Sequence, residues 1–366
     1  MMPEAVTTER RLIEQFLDTL RALPEVHAEL DSREPVGRAG DRRPDAQIHL
    51  QVAGQSFTLL IEAKKAVYPR DVRQFLWPLG PFRRPRSVAL NRDETVPLLV
   101  AESISPGAKE LLRDERVGYY DSGGSLFLPA FGAYLYIDKP PPKTLSKSVR
   151  SLFSGRRAQV LHTLLMHPQD WFGGKELAEQ AGVSPATASQ VLTELERFDW
   201  LVSRGQGPSK ERYLRDPAAL LDAWVKQLAS ICTPPLRRYY VPSMKTDTLL
   251  EHIGQIFATY EVGYAISYEA AAQRYAPFLS SVSQVRCRVL AGTAADAATG
   301  ELGARVVNEG ANLAIIEAKS HGELLFREQV GGIWLASPVQ VYLDLLRGEG
   351  RAKAMAEHLR KEKMGF

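Results

Sequence analysis

No run of about 18 consecutive apolar residues, the length a membrane-spanning helix needs, occurs in the chain, and no basic-then-apolar leader follows Met1. A soluble, unsecreted protein is expected, with the cytoplasm as its compartment and no membrane partner. Cysteine is scarce. Cys232 and Cys287 are the whole complement and form no CxxC pair, and the 7 histidines show neither HxH nor HExxH spacing. Neither a disulfide framework nor a zinc site is therefore expected. Excess charge is lacking as well. With 46 Lys and Arg against 43 Asp and Glu, the formal net charge is +3, so any grip on phosphates must come from local clusters.

What is present is 366 residues with 45% hydrophobic content, enough for two or three cores. The pattern argues for an α/β multidomain chain: a domain over 1–138, a linker at 139–154, a second domain over 155–231 and a third over 232–366. Thr8 to Leu23 carries Leu12, Phe16, Leu20 and Leu23 at helical spacing before Pro24, an amphipathic cover helix. An arginine-rich connection, Arg33 to Arg43, leads into Pro44 to Val52, which alternates apolar and polar residues. A turn at Ala53-Gly54-Gln55-Ser56 and a return strand, Phe57 to Lys64, come next. With Gly54 and Gln55 as the loop, Ile48 faces Ile61, Leu50 faces Leu59 and Val52 faces Phe57, so the apolar faces coincide. That register sets Asp45 opposite Lys64 and Gln47 opposite Glu62. Asp45, Glu62 and Lys64 then gather on the other face at one end of the hairpin.

Two carboxylates and a lysine so placed can hold a hard cation through Asp45 and Glu62, while Lys64 orients a water toward a phosphodiester. Pro44-Asp45 and Glu62-Ala63-Lys64 resemble the two halves of the PD-(D/E)XK, restriction-endonuclease-like motif. The resemblance, over roughly residues 8 to 138, implies a nuclease-like α/β domain with Mg²⁺ on Asp45 and Glu62. It also implies that Asp45, Glu62, Lys64 and Gln74 form the catalytic set if the site is active. Gln74 resembles the helix polar residue that some members place beside the metal. Leu98 to Val100 and Gly118 to Leu128 are expected to complete the sheet. Fold and cleavage are separate expectations, because such a site can persist as a DNA-docking surface. A second Glu317-Ala318-Lys319 lacks a preceding Pro-Asp hairpin and reads as the end of a strand. Arg83, Arg84 and Arg86, stiffened by Pro81 and Pro85, make a basic loop able to track a phosphate backbone or simply to sit in solvent.

Pro140 to Pro142 mark an extended spacer, and Lys147, Arg150, Arg156 and Arg157 form a basic approach to the second domain. Val160, Leu161, Leu164 and Leu165 stripe a helix that stops near His167-Pro168, and Lys175 to Gln180 makes a second. After Ala181-Gly182-Val183 a third helix opens with Ser184 as N-cap and Pro185 at its first position. Ala188, Val191, Leu192 and Leu195 point inward. Ala186, Thr187, Ser189, Gln190 and Thr193 are left outward, small and uncharged, able to enter a major groove. Trp200 to Arg204 and Glu211 to Arg215 flank a loop suited to a wing, with Arg204, Lys210 and Arg212 as candidate phosphate contacts. The run Val183 to Leu192 resembles recognition helices of bacterial winged-helix repressors. A central winged helix-turn-helix that binds double-stranded DNA is implied, with Ser184, Thr187, Ser189, Gln190 and Thr193 along the reading face. A winged helix used for protein contacts is the alternative.

A helical tail, Ala218 to Ile231, leads past Pro234-Pro235 into a third region of mixed α/β pattern. Helices are expected over Thr248 to Phe257 and Tyr268 to Phe278. Strands are expected at Val285 to Val289, Arg305 to Asn308, Leu313 to Ala318 and Gly332 to Leu335. Ser337-Pro338 opens a helix through Leu346, and Ala352, Met355, Ala356 and Leu359 stripe the last one. Tyr342 and Asp344 read as packing and surface positions without chemistry. Leu335 to Leu346, with the last helix, resembles the end of AbiEi-type antitoxins, the transcriptional-regulator halves of type IV toxin–antitoxin systems. The likeness spans most of 155–366 and implies an operator-binding repressor encoded beside a nucleotidyltransferase-like toxin, which it counters without a stable complex. Paired half-sites leave room for a homodimer. The amino-terminal domain is a departure, since such antitoxins commonly begin with their winged helix. The rival expectation is a Mg²⁺-dependent DNA endonuclease directed by the winged helix.

Overall fold

In a computed structural model, described for residues 4–31, 44–52, 54–76, 94–130, 133–140, 149–231, 233–242 and 245–366, the chain is mixed α/β and forms two compact units. One comprises Met1–Val149 with Glu194–Asp199, the other Arg150–Thr193 with Trp200–Phe366. The arginine-rich connection, the basic loop at Arg83, Arg84 and Arg86, Pro141, Pro142, Lys147 and Cys232 lie outside the described residues. Among the described residues no helix is long and apolar enough to cross a membrane.

The first unit runs α1 (Glu4–Arg21), β1 (Val26–Leu30), β2 (Ala46–Val52), β3 (Gln55–Val67), α2 (Pro69–Leu76), β4 (Glu94–Ile104), α3 (Pro106–Asp114), β5 (Gly118–Asp121), β6 (Leu126–Ala130) and β7 (Ala133–Ile137). Its strands lie in one sheet in chain order. The pairs β3–β4 and β4–β5 are parallel and the others antiparallel. Parallel neighbours need crossovers, and α2 and α3 sit in the two crossovers, which places both on one face of the sheet. The α1 stripe of Leu12, Phe16 and Leu20 is buried with Ile48, Leu59 and Val100 in one core. Val72 of α2 and Ala108 and Leu112 of α3 are buried with Leu99 and Tyr119 in a second core. The edge strands β1 and β7 were not legible in the pattern, because half of each faces solvent.

The hairpin register differs from the expected one. Ile48 pairs with Leu59, Leu50 with Phe57 and Val52 with Gln55, a shift of two residues. Closing on Val52 and Gln55 puts Gly54 second in the loop, where its φ of +80° supplies the left-handed conformation such turns require. Because the shift is even, the apolar faces still coincide. The consequence falls on the polar face, where Asp45 now neighbours Glu62 instead of Lys64. On the same side of the sheet Lys109 of α3, 5% exposed, pairs with buried Asp121 at 2.7 Å and donates to Ser125 Oγ at 2.6 Å.

The second unit opens with α4 (Gly155–Met166), β8 (Trp171–Gly173), α5 (Gly174–Gln180), α6 (Pro185–Arg197), whose last turn belongs to the first unit, β9 (Leu201–Arg204), β10 (Glu211–Leu214) and α7 (Pro217–Leu228). Here β8, β10 and β9 form a three-stranded antiparallel sheet in that order. Then come β11 (Leu236–Tyr240), α8 (Thr246–Thr259), β12 (Tyr264–Ser267), α9 (Tyr268–Tyr275), β13 (Val285–Leu290), α10 (Thr293–Glu301), β14 (Arg305–Val306), β15 (Leu313–Ala318), a 3₁₀ turn (His321–Leu324), β16 (Glu328–Val330), β17 (Ile333–Leu335), α11 (Pro338–Leu345) and α12 (Ala352–Leu359). The larger sheet has the order β14-β11-β15-β13-β12-β17-β16. As expected, the second Glu-Ala-Lys closes a strand: β15 ends at Ala318, and Glu317 pairs with Arg237 at 2.6 Å.

Asp344 corrects the surface reading. It is 1% exposed and receives Arg288 through two contacts, Nε at 3.1 Å and Nη2 at 2.6 Å. Ser267 Oγ donates to it at 2.6 Å and Gln340 Nε2 at 2.9 Å, so a buried ion pair ties β13 to α11. Burial also pushes the Cys287 thiol up to about 12, which makes this cysteine a packing residue rather than a nucleophile.

A second buried contact joins α4 to α11. His162 Nε2 lies 2.6 Å from Ser337 Oγ, which accepts from Gln340 N at 3.1 Å as the N-cap of α11 and so keeps its own proton to donate to a neutral ring. Burial, aided by the Arg288 charge, lowers the His162 pKa to about 4 from the ordinary 6.5. The unfolded chain therefore binds more protons between those values, and stability is lost as pH falls from about 6.5 to about 4. The loss from this one ring should be on the order of 3 kcal/mol. Urea unfolding from pH 7 to pH 4 should show a shallower decline in His162→Gln than in the parent, and coincident declines would assign the acid sensitivity elsewhere.

Candidate functional site

Two groups of the singled-out residues have defined geometry. The first lies on the face of β3 that also carries α2 and α3. Asp45, at the entrance to β2, accepts from Ala63 N through Oδ2 at 2.7 Å and donates its own N–H to Ile61 O at 2.8 Å. Glu62 is 7% exposed, and Lys64 Nζ donates to its Oε1 at 2.8 Å. Strand alternation explains the grouping: Ile61 and Ala63 point into the α1 core while Glu62 and Lys64 point to the other face. The donors are hard carboxylate oxygens, the type that suits Mg²⁺, which is commonly held by one or two carboxylates and water. A cation at Glu62 would compete with Lys64 for Oε1. Gln74 is on the exposed side of α2.

The second group is α6. Ser184 Oγ accepts from Thr187 N at 3.2 Å and lies 2.9 Å from Thr187 Oγ1, so the cap expected from sequence forms and holds Thr187 half-buried. Ala188, Val191, Leu192 and Leu195 are fully buried. Ser184, Ala186, Ser189, Gln190 and Thr193 are exposed, and Thr193 Oγ1 turns back to donate to Ser189 O at 2.9 Å. The outward face is thus uncharged as far as Thr193.

The expected wing residues are more constrained than their sequence suggests. Arg204 pairs with Glu211 at 2.6 Å and stacks over Trp171, 4.2 Å from the ring centroid, so much of its charge is met locally. Lys210 and Arg212 are half-buried, and Arg212 Nη1 donates to Lys210 O at 3.4 Å. Arg215, exposed just after β10, was not among the chosen contacts.

Comparison with protein-family models, with curated proteins and with solved structures finds no match for this chain.

Proposed function

We propose that the chain is a double-stranded-DNA-binding transcriptional regulator and that α6 is the helix that enters the major groove. One observation carries the reading. The succession α4-β8-α5-α6-β9-β10, with β8, β10 and β9 in one small sheet, supports a winged helix-turn-helix reading, in which the third helix presents an uncharged, hydrogen-bonding face. Gln190 has the side chain that pairs in bidentate fashion with adenine, while Ser189 and Thr193 suit either base edge. The phosphate grip falls to the basic residues of the β9–β10 hairpin, Arg204, Lys210 and Arg212. The narrower reading, an AbiEi-type antitoxin with a nucleotidyltransferase-like toxin as its functional partner, is supported by the resemblance of Leu335 to Leu346 and the helix after it.

A specific observation also favours a second reading, a Mg²⁺-dependent DNA endonuclease. The order α1-β1-β2-β3-α2-β4, with β3 and β4 parallel, supports a restriction-endonuclease-like reading, and the hairpin brings Asp45, Glu62 and Lys64 together. Asp45 and Glu62 would hold the ion, which when bound supplies positive charge at a phosphoryl oxygen. Lys64, already hydrogen-bonded to Glu62, would orient the attacking water.

Plasmid DNA incubated with the protein and with Lys64→Ala, with Mg²⁺ or Mn²⁺, separates the readings. The regulator binds DNA with an affinity that falls steeply with salt and leaves the plasmid intact. Nicking that disappears in Lys64→Ala establishes the endonuclease, and absence of both binding and nicking overturns both.

A further inference from the structure

The second unit holds a cavity of about 500 Å³ that neither reading above uses, within the roughly 300–1,000 Å³ range of small-molecule sites. Phe257, Tyr264, Leu290 and Trp334 give it apolar and aromatic walls, Arg327 supplies a guanidinium, and the His321 imidazole and the Glu261 carboxylate also line it. Arg327 differs from three arginines of this unit that are paired with carboxylates. Arg288 meets Asp344, Arg286 meets Glu269 and Arg360 meets Asp222. Arg327 instead donates to the Tyr264 carbonyl at 2.9 Å and lies over the Trp334 ring, 4.3 Å from its centroid. A guanidinium held in place by a carbonyl and an indole retains donors suited to an anion.

The segment that supplies Arg327 and His321 also touches α4. Between His321 and Arg327, a Cβ placed on Gly322 would collide with the Gln159 side chain of α4. The Phe326 ring packs edge-on to His162 and His167 at 5.4 and 5.6 Å between centroids. Phe326 itself has φ +57°, a left-handed conformation that a bulky residue keeps only when its surroundings impose it.

We propose that this cavity binds a small phosphate-bearing molecule up to mononucleotide size, its phosphate on Arg327 and His321, and that its occupancy acts on α4 through residues 321–327. Phosphate is the class that suits a fixed arginine fork with an imidazole N–H beside it, and the aromatic walls accommodate the uncharged remainder. The effect on DNA affinity rests on the proposed function, whereas the binding site and its link to α4 do not.

The test is calorimetric titration of the full chain with inorganic phosphate, ribose 5-phosphate and AMP, with adenosine as the uncharged control. The phosphate-bearing probes are expected to bind and adenosine is not. Arg327→Gln should weaken binding about tenfold or more. His321→Ala, at an exposed position where the fold is not at stake, should weaken it several-fold. Amide hydrogen exchange across residues 155–166 should slow when the probe binds. No binding by any phosphate-bearing probe, equal binding of adenosine, or unchanged affinity in both variants overturns the site. Binding with unchanged exchange in α4 overturns the link. A chain that binds the probes and protects α4 yet fails to bind DNA overturns the DNA-binding reading and leaves this one standing.

Discussion

Asp344→Ala should destabilise the protein by roughly 3–5 kcal/mol, because it strands a buried guanidinium. Arg288 is 5% exposed and Asp344 1%, so water cannot replace the lost partner. Burial opposes the arginine's charge, and the Asp344 carboxylate is the main compensation, with Glu323 behind it. Glu323 lies 3.6 Å from Nη1, too far to replace the two close contacts that Asp344 makes. Ser267 and Gln340 would lose their acceptor in the same step. The double variant Arg288→Met with Asp344→Leu should recover most of the loss, since a matched apolar pair leaves no buried charge uncompensated. Chemical denaturation of the three proteins checks this. A single variant within about 1 kcal/mol of the parent would show that the fold does not depend on the pair.

Introducing two carboxylates on α6, as Ser189→Glu with Thr193→Glu, should reduce DNA affinity by about a hundredfold or more at moderate salt. The two positions are one turn apart and exposed, so the new charges face the same direction without entering the core. The cost to folding is limited to the hydrogen bond from Thr193 to the Ser189 carbonyl. If α6 lies in a groove, both carboxylates meet the phosphate field of the DNA. If another surface contacts DNA, they meet solvent. Fluorescence anisotropy at one fixed salt concentration distinguishes these cases, and affinity retained within about threefold removes α6 from the reading role.

The three helices between Gly155 and Arg197 and the strands flanking the wing loop were legible because their signals are local, whereas the three-residue β8 was not read. Ser184 and Pro185 announce a helix start, and Ala188, Val191, Leu192 and Leu195 mark its buried stripe. The hairpin was legible in parity but not in register. Alternation has period two, so it is blind to a shift of two residues, and only the conformation of Gly54 separates the alternatives. Asp344 failed for the opposite reason. Helical spacing among leucines left a charged residue to be read as a surface position, because its partner Arg288 lies 56 residues away on a strand, beyond any local pattern. The cavity around Arg327 is assembled from β12, α8, α10, the 3₁₀ turn and β17, and no single stretch records it.

The contact of His162 with Ser337 has a consequence for how this chain could be recombined. The helix that begins the three-helix, three-strand segment is at the same time a supporting wall of the region beyond Ile231, through His162, Gln159 and the ring of Phe326. Cutting or splicing at Ile231 would expose the hydrogen-bonding edge of His162 to water on one side and deprive the α11 cap of its imidazole partner on the other. The exchangeable piece is therefore larger than the three-helix, three-strand segment alone. A foreign three-helix, three-strand segment grafted onto the region beyond Ile231 would need its own equivalent of His162.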